Sequence, residues 1–167
     1  MPDATTVREL YKRIDRLPIV DVHTHVEWKT PTASNIGDIL SYHYYSELAN
    51  SAAWRGPGPP EERFPFDDPE ALTRTMVPRL GLIRNTVQYD WLMTISREYL
   101  DLPASAWRAD NWQRIYDRSL KGMDRPGWRE EMIERSNIRR VFLTNQYDDD
   151  LEGLDNGFYT PCLRTEP

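Results

Sequence analysis

Cysteine is nearly missing from this 167-residue chain, Cys162 being the only one. A single thiol excludes an intrachain disulfide and a cysteine-built zinc cage, and it fits a reducing compartment. Long hydrophobic runs are missing too. No stretch approaches the roughly 20 apolar residues a membrane-spanning helix needs, so a membrane partner is not expected. Met1-Pro2-Asp3-Ala4 has no basic region leading into an apolar run, so no secretory signal is read and a cytoplasmic location is the expectation. Positive charge is in deficit, with 21 Lys and Arg against 27 Asp and Glu and a net charge of −6. The densest basic cluster, Arg135, Arg139 and Arg140, is interrupted and reads as a solvated face, so nucleic acid is not an expected partner.

Aromatic residues are plentiful, with six Trp and nine Tyr. They supply the apolar area that a disordered chain lacks, and the length allows one ordinary domain with its own core. Thirteen Pro predict frequent element boundaries.

A helix is predicted from Thr6 to about Leu17, with Thr6 as cap and Glu9 completing a capping box. Val7, Leu10, Tyr11 and Ile14 then share one apolar face, and Pro18 stops the helix. Ile19 to His25 follows as a short β-branched segment with the pattern of a buried strand. Alternation along it puts Asp21, His23 and His25 on one side and Val20 and Val22 on the other. From Glu27 to about Asn137 no strand is read. Helical spacing is seen over Ile36–Leu48, and Arg55 to Pro60 is a breaker. Asp68-Pro69 starts a helix that should be interrupted before Pro78. Further helices are expected over Val87–Glu98, over Asn111–Leu120 with Asp110 as cap, and over Gly127–Ser136. Two more strands are expected, near 138–144 and 158–164.

Strands in series with a helical crossover predict an α/β fold with a parallel sheet. Three strands do not close an eight-stranded barrel, which takes about 250 residues. The expectation is one incomplete barrel domain over 1–167 with a helical insertion at about 27–137.

His23 and His25 are the strongest chemical signal. Two imidazoles at i and i+2 of a strand aim into one space and suit a divalent cation with open coordination positions. The alternative is a pair of histidines satisfied by hydrogen bonds. The preceding Pro-Ile-Val-Asp run and the strand end favour metal, because the C-terminal end of a barrel strand opens on the active-site mouth.

Leu17-Pro18-Ile19-Val20-Asp21-Val22-His23-Thr24-His25 resembles the opening strand of the amidohydrolase superfamily, whose members bind divalent metals in a (β/α)8 barrel. Later segments are similar to the uronate (glucuronate) isomerases of that superfamily. They are His43-Tyr44, Asn85 to Trp91, Leu143-Thr144-Asn145-Gln146 followed by Asp150-Leu151-Glu152, and Pro161-Cys162-Leu163-Arg164.

The resemblance implies that His23 and His25 hold a zinc-like ion and that Tyr44 assists proton movement. It further implies that His43 and Arg164 bind a small sugar acid, the Arg fork suiting its carboxylate. The reaction implied interconverts an aldose and a ketose uronate through an enediol, in a longer enzyme of which this segment alone is inactive. A homo-oligomer is compatible with it. A metal-dependent hydrolase of the same superfamily and an inactive fragment are the alternatives. The chain departs from the family at Tyr45-Ser46-Glu47, Leu92 to Ile95, Asn145-Gln146 and Thr165-Glu166, which leaves the particular sugar acid open.

Other candidates have plainer readings. Tyr44, four residues from Leu40 and from Leu48, could equally be core. Asp21 could orient a ligand histidine. Asp148 to Asp150 reads as a solvated turn, with a calcium contact as the alternative. Trp54, Trp91, Trp107, Trp112 and Trp128 read as helix-packing residues, and Cys162 as a small buried hydrophobe.

Overall fold

The computed structural model describes residues 3–53 and 64–164. Trp54, the 55–60 breaker and Thr165-Glu166 lie outside the described residues. The chain is mixed α/β. Its helices are α1 (Ala4–Ile14), α2 (Ile36–Leu40), α3 (His43–Ala53), α4 (Pro69–Leu80), α5 (Val87–Leu100), α6 (Trp112–Met123) and α7 (Trp128–Ser136). Its strands are β1 (Ile19–Thr24), β2 (Ile138–Asn145) and β3 (Tyr159–Leu163). Two compact units result, one within Met1–Thr32 and Arg129–Pro167, the other within Ala33–Trp128.

The first unit carries the sheet, parallel and in the order β1-β2-β3. Entry into β1 is fixed by Asn137, whose left-handed backbone (φ 52°) suits Asn better than most residues. The Asn137 Nδ2 donates to the Leu17 carbonyl at 2.9 Å, and the Ile19 N–H donates to the Asn137 carbonyl at 2.9 Å. The β2–β3 register is regular, from Val141 opposite Tyr159 to Asn145 opposite Leu163. Alternation along β2 buries Val141, Leu143 and Asn145. A small core forms there from Val141, Leu143 and Tyr159, with Trp28, Ile138, Leu154 and Phe158 packed against it.

Two expectations for this unit are corrected. The cap of α1 is Asp3, whose carboxylate accepts from the Thr5 and Thr6 N–H groups and from the Thr6 hydroxyl. The helix therefore starts three residues earlier than predicted, Asp3 satisfies two of its orphan donors, and Thr6 falls inside the first turn. The apolar face of α1 is real but uncovered, since Val7, Leu10, Tyr11 and Ile14 are all exposed. Strand β1 is likewise an exposed edge, with Val22 76% accessible, where a buried strand was predicted. Its β-branched run states a preference for burial that the described residues do not meet.

The second unit is helical, and from Glu27 to Asn137 no strand occurs among the described residues. Ile36, Leu40, Leu72, Met76, Leu80, Leu92, Leu100 and Ile115 are fully buried in it. Helix α2 approaches α4 so closely that a side chain at Gly37 would collide with the Pro69 backbone. The Ile36 N–H is satisfied by the Ser119 hydroxyl at 2.9 Å, and the Trp128 indole N–H by the Ala33 carbonyl at 2.9 Å.

Further corrections fall in this unit. The single helix predicted over Ile36–Leu48 is two, broken at Ser41 and Tyr42, so Leu40 and Tyr44 do not share a stripe. Helix α4 begins at Asp68-Pro69 as expected but runs through Pro78. The ring removes one backbone donor near the helix end, and the buried Val77 and Leu80 on either side hold the last turn in place. Asp110 does not cap α6, because both its carboxylate oxygens accept from Arg108, at 3.1 and 3.2 Å. Trp128 packs as predicted, whereas Trp91 is 59% exposed.

Candidate metal centre

The C-terminal end of β1 presents His23, and His25 follows one residue past its last position. Asp21 lies opposite Val141 and Thr24 opposite Leu143, so the ladder is irregular between Asp21 and Thr24. That irregularity breaks the strict alternation predicted for Asp21, His23 and His25. The half-buried Asp21 and Thr24 fall opposite buried β2 positions, while Val22 and His23 are exposed. Asp21 Oδ1 accepts from the His23 backbone N–H at 3.3 Å rather than from an imidazole.

The two rings converge. His23 Nε2 and His25 Nε2 are 3.3 Å apart, with the rings edge to face at 84°. Two nitrogens each about 2.0–2.1 Å from one tetrahedral zinc-like ion stand about 3.3–3.4 Å apart, so this donor pair fits a shared cation. The same distance also accommodates an N–H···N hydrogen bond if one ring carries its proton on Nε2. Thr144 Oγ1 lies 3.5 Å from His23 Nδ1, the ring nitrogen turned away from the pair. Where Nδ1–H donates to this hydroxyl, Nε2 is left free to bind a metal. Among the described residues, no group of three His, Cys, Asp or Glu side chains is arranged to hold a metal.

The pair lines a cleft of about 380 Å³ together with Val22, Thr144, Cys162 and Arg164. The Arg164 backbone N–H donates to the Asn145 carbonyl at 2.8 Å, which extends the β2–β3 ladder by one residue and sets where this Arg begins. Cys162 is exposed, a correction to the buried role predicted for it. It lies near the end of an edge strand that nothing described covers.

A second cleft, of about 510 Å³, shares His25, Leu143 and Thr144 with the first and adds Trp28, Lys29, Asn145, Asp149 and Asp150. Lys29 Nζ pairs with Asp150 Oδ2 at 2.6 Å. That hydrogen bond, the Glu152 N–H and the Lys29 charge together hold the Asp150 carboxyl below the usual aspartate range. The Asp148 to Asp150 turn is exposed, as predicted.

His43 and Tyr44 belong to the helical unit, in the first turn of α3. Their ring centroids are 4.2 Å apart, and Tyr42 meets both, tilted against His43 and edge to face with Tyr44. Tyr44 is 43% exposed, which excludes the core-packing alternative within that unit. The buried member of the run is Tyr45, whose phenol is pushed up to about 12 by burial.

No family model and no curated protein matches the chain. The class of protein therefore rests on fold and site. What they present is a mixed α/β chain with a converging His-X-His pair at the C-terminal end of a parallel strand.

The residues missed by pattern reading are Thr144, Trp28 and Lys29. Thr144 had a readable signal, being a polar residue at the end of a strand predicted to neighbour β1. Lys29 and Asp150 are 121 residues apart, and no spacing rule joins them.

Proposed function

We propose that this chain is the N-terminal part of a metal-dependent (β/α)8-barrel enzyme that isomerises a hexuronate, exchanging aldose and ketose by proton transfer between adjacent carbons. The observation that carries this reading is the 3.3 Å approach of His23 Nε2 to His25 Nε2 at the strand end, in a cleft that Arg164 also lines. A bound zinc-like ion would supply Lewis-acid stabilisation for charge developing on the sugar oxygens. His23 and His25 would hold it, Thr144 would orient His23, and Arg164 would bind the carboxylate end of the sugar acid. His43 as a substrate contact and Tyr44 as a proton carrier rest on the resemblance of His43-Tyr44 to the family pair. The barrel reading is supported by three parallel strands in sequential order and by the uncovered apolar faces of α1 and β1, which further strands and helices would bury.

The test is turnover of glucuronate and galacturonate to ketoses by the complete enzyme of which this chain is the N-terminal part, loaded with zinc. His23→Ala and His25→Ala are each expected to abolish metal retention and turnover. Wild-type metal content in both variants overturns the ligand assignment. Water-dependent cleavage without ketose formation replaces isomerase with metal-dependent hydrolase. Metal retention without either reaction removes both activities and leaves an inactive fragment.

A further inference from the structure

Asn145 ends β2 on the side that buries Val141 and Leu143, so a carboxamide stands where alternation calls for another apolar side chain. It is 7% exposed and lines the second cleft beside His25. Its Nδ2 donates to Asp149 Oδ2 at 3.4 Å, and because a carboxylate only accepts, this contact fixes which end of the amide is which. The other end, Oδ1, is buried with no hydrogen-bond partner among the described residues. A buried acceptor left unpaired is a standing penalty, removed when a donor enters.

The surrounding groups indicate which donor. Asp149 Oδ2 already accepts the Gln146 N–H at 2.7 Å. Asp150 is engaged through Oδ2 by Lys29 and through Oδ1 by the Glu152 N–H at 3.0 Å. Glu27 Oε1 accepts the Lys29 N–H at 3.2 Å. Asp149, Asp150 and Glu27 thus each accept from the chain's own donors, whereas Asn145 Oδ1 accepts from none among the described residues. An unpaired neutral carbonyl oxygen of this kind fits a neutral O–H donor. Trp28 lines the same cleft, with Lys29 Nζ 5.3 Å from its ring centroid. His25, Leu143 and Thr144 line both clefts, so a ligand at the histidine pair has Arg164 in one recess and Asn145 in the other.

We infer that Asn145 is a substrate-binding residue whose Oδ1 accepts a hydrogen bond from a hydroxyl of the polyhydroxylated ligand held at the histidine pair. The inference rests on the proposed sugar-acid function and assigns a residue that the family resemblance does not.

The experiment pairs Asn145→Leu with NMR of the wild type, both as the complete enzyme loaded with zinc. Leu has similar volume and removes the unpaired acceptor together with the long 3.4 Å contact to Asp149, two opposing effects, so Tm should stay nearly the same, while KM for glucuronate rises about five- to tenfold. In the wild type, the Asn145 side-chain amide resonances should move on titration with glucuronate and with the neutral polyol glucitol. If the chain turns over uronates but Asn145→Leu leaves KM unchanged, or the amide resonances stay still, the inference is overturned and the isomerase reading stands. If no uronate is isomerised yet the amide responds and Asn145→Leu abolishes binding, the isomerase reading falls and the hydroxyl site stands. No turnover and no response overturns both. If Asn145→Leu fails to fold, the wild-type amide titration alone decides.

Discussion

His23 and His25 were legible because a two-residue spacing on a strand brings side chains together almost whatever the rest of the fold does. Even the irregular register between Asp21 and Thr24 leaves their Nε2 atoms 3.3 Å apart. Arg164 was singled out only through the family resemblance, and it lines the cleft of the histidine pair. Arg164→Met should weaken binding of carboxylate-bearing sugars by about 1.5–3 kcal/mol, the loss of a charged hydrogen-bond donor, and leave neutral polyols nearly unaffected. Calorimetric titration with glucuronate and glucitol checks this, and equal losses for the two would remove the proposed role. Asp150 gives a pH prediction. Its carboxyl is held low by Lys29 first and by the Glu152 N–H next. A lowered carboxylate pKa favours the folded state above the ordinary aspartate value, and the contribution disappears as the pH falls through the lowered value. NMR titration should therefore place the Asp150 midpoint below that of an ordinary aspartate, and Lys29→Met should move it up. High salt should shrink the difference, because both groups are exposed.

At the scale of elements, local chemistry predicted well where one residue could act alone. Asp68-Pro69 starts α4 with the Asp carboxylate accepting the Ala71 N–H at 2.9 Å. Asp68→Ala is expected to cost about 1 kcal/mol, read as a lowered midpoint in urea unfolding. No change would show that α4 is held by its buried face alone. Prediction failed where two local signals competed. Thr6 and Asp3 both suit the α1 cap and the carboxylate wins, while Asp110 is taken by Arg108 before it can cap α6. It failed as well where burial overrode a breaker, as at Pro78, and where a helical stripe crossed a break, as at Ser41.

For the whole molecule, the helical unit at Ala33–Trp128 lies within the stretch expected as a helical insertion at about 27–137, and the sheet unit takes the chain on either side of it. Each unit has its own core, but the covering of the two cores differs. The helical unit fully buries Ile36, Leu40, Leu72, Leu80, Leu92, Leu100 and Ile115, while the sheet unit leaves the α1 face and the β1 edge open. Replacing Leu10 by Glu together with Ile14 by Lys should therefore change the stability of this 167-residue chain by under about 0.5 kcal/mol, because no buried contact is lost. The same pair should reduce binding of an apolar fluorescent dye. A loss of stability above about 2 kcal/mol would show that this face is covered in solution.

By itself the sequence determined the strand and helix types, the parallel α/β class and the histidine pair. Periodicity, Pro boundaries and i, i+2 spacing act within a few residues and need no distant partner. Only the tertiary structure decided that β1 is an exposed edge, that Cys162 is accessible, and that Lys29 meets Asp150. Those outcomes depend on groups far apart in the chain competing for one donor, one acceptor or one buried face. Asn145 shows both halves: alternation places it on a core-facing position of β2, and only the packed fold leaves its oxygen buried without a partner.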